Sequence, residues 1–175
     1  MTWKSFHSRG ETLRAVIAAA DDRRDGTLPL DVDGVAESFA DELDLLGALQ
    51  LRWQTRLAGH VERELSRQPF DLEDAVVAAW HATADELPGV LAVLDHHRAA
   101  PADRPTAEAM ARATAKQHAL LAMSAGRASA ADEVAVRVGA AIESRARATH
   151  RPVRAAADPR PPRLLDRLRA ALAAA

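Results

Sequence analysis

Cysteine is missing from this chain, as is tyrosine, and three phenylalanines and three tryptophans are its only large aromatic side chains. The first absence excludes disulfide bridges, thiolate metal sites and cysteine nucleophiles. The second keeps strand-favouring content low. No stretch approaches the roughly 18 apolar residues that would span a bilayer. The first seven positions, Met1 to His7, hold no apolar run of signal-peptide length, so the cytoplasm is the expected compartment. Also missing are the Gly-x-Ser-x-Gly elbow of hydrolases, a phosphate-binding glycine loop, a dinucleotide fingerprint and the His-Glu-x-x-His zinc signature. No His lies three residues after any Glu, which excludes the usual di-iron carboxylate bundle.

What is present favours helix. Alanine occurs 41 times, and of the 23 basic residues 21 are arginine, leaving only Lys4 and Lys116. This bias is the mark of a high-GC genome, as in a high-GC bacterium, and it fills the chain with strong helix formers whatever its origin. At 175 residues the chain fits one domain with an appendage and buries roughly two-thirds of its unfolded surface without a staple. Its formal charge of −2 hides a polarity. Residues 1–100 carry 10 Lys+Arg against 18 Asp+Glu, whereas residues 101–175 carry 13 against 7. An acidic body and a basic end are complementary to each other or to a partner.

Hydrophobic periodicity predicts an all-α fold: a helical bundle of about five helices built around one long helix, with a flexible C-terminal tail. Ser8 and Glu11 read as a capping box for a first helix over 9–24. Asp33 is placed to cap a long helix over 34–67, in which Val35, Phe39, Leu46, Trp53, Leu57 and Val61 keep one stripe alive and Gly47 and Gly59 are points of weakness. Asp71 caps a third helix, with Phe70 positioned to staple against Ala75, and Pro88 predicts a kink or break near 86–89. Thr106 is the expected cap of a fourth helix ending near Gly126. Ser129 is that of a fifth, with Val134, Val138, Ala141 and Ile142 facing inward and the pattern fading after Arg145.

The bundle is expected to end at residue 150. Residues 151–162, with four prolines among Arg and Ala, read as a linker. Residues 163–175 recover an amphipathic pattern, with Leu164, Leu165, Leu168 and Leu172 on one side and Arg163, Arg167 and Arg169 elsewhere. Such a segment is too short for a stable isolated helix and folds only against something.

Two groups of residues are candidates for function. Four polar residues next to the apolar stripes, His60, Glu64, His97 and His118, would form one layer if their helices packed side by side, and that layer suits a divalent metal or a small ligand. The His81–Asp85 pair reads as solvated helix decoration. The other group is the amphipathic end at 163–175, a tethered docking segment for a protein partner. Nucleic acid is disfavoured, because the tail has no aromatic residue for stacking and the whole chain is mildly acidic. The expectation is therefore an interaction or scaffold module, non-enzymatic and with no cofactor, homodimeric through its long helix, with the metal- or ligand-binding layer as the alternative.

Overall fold

The computed structural model describes residues 3–152, with side chains from Arg9 onward. Within them run seven helices: α1 (Trp3–Arg23), α2 (Val35–Ser38), α3 (Glu42–Arg67), α4 (Leu72–Glu86), α5 (Pro88–Ala99), α6 (Arg104–Ser124) and α7 (Glu133–Thr149). No strand occurs among the described residues, and the all-α bundle is as expected. The count is higher than five for two reasons. Pro88 divides the expected third helix into α4 and α5, taking the first position of α5 where its missing N–H costs nothing. The expected long helix divides as well. Phe39 is extended, and Asp41 starts a new helix by accepting from the Asp44 backbone N–H, so α3 has 26 residues and is about 39 Å long, against about 50 Å for a helix over the expected span 34–67.

Several helix starts differ from the sequence expectation. Ser8 lies inside α1, which begins upstream at Trp3, so the capping box does not start that helix. Asp33 does not cap α2; Gly34, at φ 83°, precedes it without a side-chain cap. Asp71 caps α4 as expected, but Phe70 is fully exposed and staples nothing. Helix α6 is capped by Asp103 and α7 by Asp132, each accepting from the backbone N–H three residues on, instead of Thr106 and Ser129. Val134 is half exposed, and the buried stripe of α7 runs through Ala135, Gly139, Ile142, Glu143 and Ala146. The helix continues past Arg145 to Thr149.

Helices α3 and α4, joined by a four-residue turn, form an antiparallel pair at the centre, where Trp53 and Trp80 meet edge to face with ring centroids 6.1 Å apart. One continuous apolar core surrounds them, drawing Val16 from α1, Leu45 and Leu49 from α3, Leu94 from α5, Leu121 from α6 and Ile142 from α7. Two close approaches set the outer helices. A Cβ on Gly89 would fall 2.1 Å from the Ala20 carbonyl carbon, which brings α5 against α1. Asp21 there accepts from the Gly89 N–H at 2.7 Å, capping α5 from a different helix. A Cβ on Gly139 would fall 1.8 Å from the His118 carbonyl oxygen, so α7 lies backbone to backbone on α6. The alanines Ala119, Ala122 and Ala135 fill the remainder of that seam. Among the described residues no helix is long and apolar enough to cross a membrane.

Candidate functional site

The four residues expected to form one layer separate into two places. His60 on α3 lies 2.9 Å from the Glu86 carboxylate through Nε2 and 3.1 Å from an Arg63 guanidinium nitrogen through Nδ1. Arginine only donates, so Nδ1 is the acceptor and Nε2 carries the proton that meets Glu86. Both ring nitrogens are thereby occupied. Glu64 turns to Arg67 at 3.0 Å. His97 and His118 both line a hollow of about 360 Å³ beside α5 and α6. His118 Nε2 is committed to Glu143 at 3.1 Å, and neither nitrogen of His97 has a partner among the described residues. Burial, reinforced by neighbouring His96, holds the His97 imidazole below its usual pKa despite Glu42 nearby. No group of three or more His, Asp or Glu side chains that could hold a metal exists among the described residues.

The strongest polar arrangement in the fold is one that the sequence pattern does not single out. The buried Trp53 indole N–H donates to Gln117 at 2.9 Å, and the Gln117 amide donates to Glu143 at 2.6 Å. Glu143 also accepts from Arg147 at 2.9 Å, and Arg147 spans to Asp95 with two bonds of 2.8 Å. Arg98 lies 3.4 Å from Glu143 on the other side. Burial alone would raise the Glu143 pKa. The hydrogen bond from His118 and the charges of Arg147 and Arg98 outweigh it, holding the carboxyl at about 2. Glu143 is thus supplied with donors from within the protein, and the network joins α3, α5, α6 and α7. His81 and Asp85 are not the solvated pair that their spacing predicts. His81 Nε2 meets the Ala146 carbonyl at 2.8 Å, and Asp85 pairs with His150.

An open surface lies elsewhere. Between α1 and α6, the outward side of α3 forms a groove of about 890 Å³. Its floor is small and apolar: Gly10 and Leu13 from α1, Leu43, Gly47 and Ala48 from α3, and Ala109 from α6. Leu51, 65 % exposed, stands in it without apolar cover among the described residues. A second hollow of about 240 Å³ shares Leu43, Gly47, Leu51 and Ala109 and extends the groove towards Ala113 and Lys116. Neither end of the Gln50 amide, in a residue only 6 % exposed at the base of this second hollow, has a partner among the described residues. Charge marks the rim, with Asp41 and Asp44 at one end of the groove and Arg52 nearer the other; Arg9 bridges to Asp44 at 2.8 Å.

Known protein families, curated proteins and solved structures offer no match to this chain. The groove and the Glu143 network must therefore be interpreted on their own chemistry. Gly47, by sequence a weak point of the long helix, is no break: α3 runs through it, and the missing side chain instead deepens the groove. The signal is present in the widened apolar arc around Leu45, Leu46, Leu49 and Leu51, which exceeds what a single buried face needs. The seven expected docking residues, Arg163, Leu164, Leu165, Arg167, Leu168, Arg169 and Leu172, lie outside the described residues, as does most of the expected linker 151–162.

Proposed function

We propose that this protein is a helical interaction module whose groove over α3 receives an amphipathic helix. One observation carries the reading: a small-residue floor, continuous across two hollows, bordered by helices on both sides and holding the uncovered Leu51. Gly47, Ala48 and Ala109 let a backbone approach closely, and leucines at three- and four-residue spacing are the side chains that fill such a trough. The groove's length supports the same occupant. From Asp41 to Thr55 the chain advances about 21 Å along the helix axis, equivalent to some four turns. The polar side chains at the rim are those of a recognition surface, with charge at the edge and apolar contact at the centre.

The test uses a synthetic thirteen-residue Leu/Ala/Arg helix added to the isotope-labelled full chain. It is repeated on a full chain carrying Leu165→Glu, Leu168→Glu and Leu172→Glu, so that the chain's own amphipathic end does not compete. Amide shifts should concentrate at Gly10, Gly47, Leu51 and Ala109 and vanish when Leu51→Arg places a charge in the floor. Leu51 is exposed, so that replacement leaves the core intact. Shifts absent from the groove in both chains would refute the reading.

A further inference from the structure

We infer that the groove is the contact between two copies of this chain, related by a two-fold axis at Gly47 that lays α3 antiparallel against α3 of the other copy. The inference rests on the docking reading above and names its partner. The order of residues along α3, the charges left without a partner and the room at the crossing each support it.

Leu43 and Leu51 both line the groove, one turn before Gly47 and one turn after it. A two-fold axis at Gly47 therefore sets Leu43 of each copy against Leu51 of the other. The exposed Leu51 is covered twice over by one operation.

Charge gives the direction. The ionised side chains lining the groove are Arg9, Asp41, Asp44 and Arg52. Arg9 and Asp44 neutralise each other at 2.8 Å, and at the second hollow Arg112 pairs with Glu108 at 3.8 Å. Asp41 caps α3 through the Asp44 N–H, but neither it nor Arg52 has an oppositely charged partner among the described residues. The two lie eleven positions apart, close to three helical turns, and so share one flank of α3. An antiparallel pair brings like flanks together, and the midpoint of 41 and 52 falls beside Gly47. Each Arg52 thus meets Asp41 of the other copy. A parallel pair would oppose Asp41 to Asp41 and Arg52 to Arg52, at a cost. Lys116, the remaining cation of the second hollow, belongs to α6 and lies outside this match.

Close approach needs little side chain at the crossing. A Cβ on Gly47 would meet nothing within 4 Å, and the same holds for Gly10 on the flanking α1, while α6 presents Ala109. Because each chain offers the same face once, the contact closes at two copies. An external helix then enters only by splitting the pair.

Sedimentation equilibrium of the full chain should give a mass that moves from one chain to two across the micromolar range. Leu51→Arg should hold it at one chain, and Arg52→Glu, which faces Asp41 of the other copy, should weaken association at least tenfold. The absence of cysteine permits a geometric check. Ala48→Cys, one residue from the axis, should be joined between copies by a short bismaleimide, whereas Thr55→Cys, about 24 Å from its counterpart, should not. Joining of both variants would mean a parallel pair, and a two-chain mass that survives Leu51→Arg would place the contact on another face; either result overturns the inference. A one-chain mass up to millimolar concentration, with the synthetic helix still shifting the groove amides, would overturn it and leave the docking reading in place. If the mass stays at one chain and the synthetic helix shifts nothing in the groove, both readings fall together.

Discussion

Glu143 is a carboxylate in a place that disfavours charge, and its stability comes wholly from its neighbours. Four side chains donate to it or face it: Gln117, His118, Arg147 and Arg98. The direction of the pH effect follows from the depressed pKa. Above the unfolded value near 4.5 the ionised form is favoured in the fold, and this contribution disappears as the pH falls through about 2. Between those limits unfolding free energy should decline by about 3 kcal/mol on this group's account. Glu143→Gln removes the charge but keeps the shape, leaving Arg147 and Arg98 facing an amide. Urea melts should show a loss of about 3 kcal/mol at pH 7 and a shallower decline between pH 4.5 and 2. An unchanged acid limb would mean that other carboxylates dominate it.

At the scale of the element, the helices differ in what fixes them. Gly139 and Gly59 make the contrast. Both lie inside helices, where alanine is favoured over glycine by about 1 kcal/mol. Gly59 has open space around its missing Cβ, so Gly59→Ala should raise stability by close to that amount. Gly139 has the His118 backbone against it, so Gly139→Ala should cost about 3 kcal/mol by forcing α7 off α6. Thermal melts of the two variants should move in opposite directions; a stabilised Gly139→Ala would show that the α6–α7 seam gives way easily.

The same elements show how far the fold is legible in the sequence. Helical periodicity and Pro88 yield the class and the α4–α5 break, because period and a missing N–H are local properties. The caps of α6 and α7 are misplaced because Thr106 and Ser129 compete with Asp103 and Asp132 three positions away, and propensity ranks such residues nearly alike. The break at Phe39 is hidden, since Phe39 is buried and continues the apolar stripe while its backbone leaves the helix. His97 and His118 line one hollow while His60 pairs with Glu86 and Glu64 with Arg67, because spacing along a helix sets the face and not the level at which two helices cross. Glu143 is invisible as a site for a related reason. Its inward position follows from the close approach at Gly139, a contact between helices that the spacing within either one does not encode.

Across the whole molecule the apolar core is uneven, and that governs how the protein opens. Helices α3 and α4 contribute Trp53, Trp80, Leu45, Leu49 and Leu57, all almost fully buried. Helix α7 contributes Ala135, Ile142 and Ala146, which bury far less area per turn. Charge reinforces its attachment. Arg145 pairs with Glu73 at 3.0 Å and with Asp74 on α4, and Arg147 joins Asp95 to Glu143 while its guanidinium lies 5.1 Å from the Trp80 ring. Apolar burial is insensitive to salt, whereas partly exposed ion pairs are screened by it. Helix α7 should accordingly detach in a sub-global step that leaves α3 and α4 folded. Native-state hydrogen exchange measures this directly. Amides of α7 should exchange at least tenfold faster than those of α3 at neutral pH, and the gap should widen in 1 M salt and again towards pH 3 as Glu143 approaches protonation. Uniform protection of the two helices under all three conditions would instead show that the alanine seam, and not the arginine pairs, holds α7 in place.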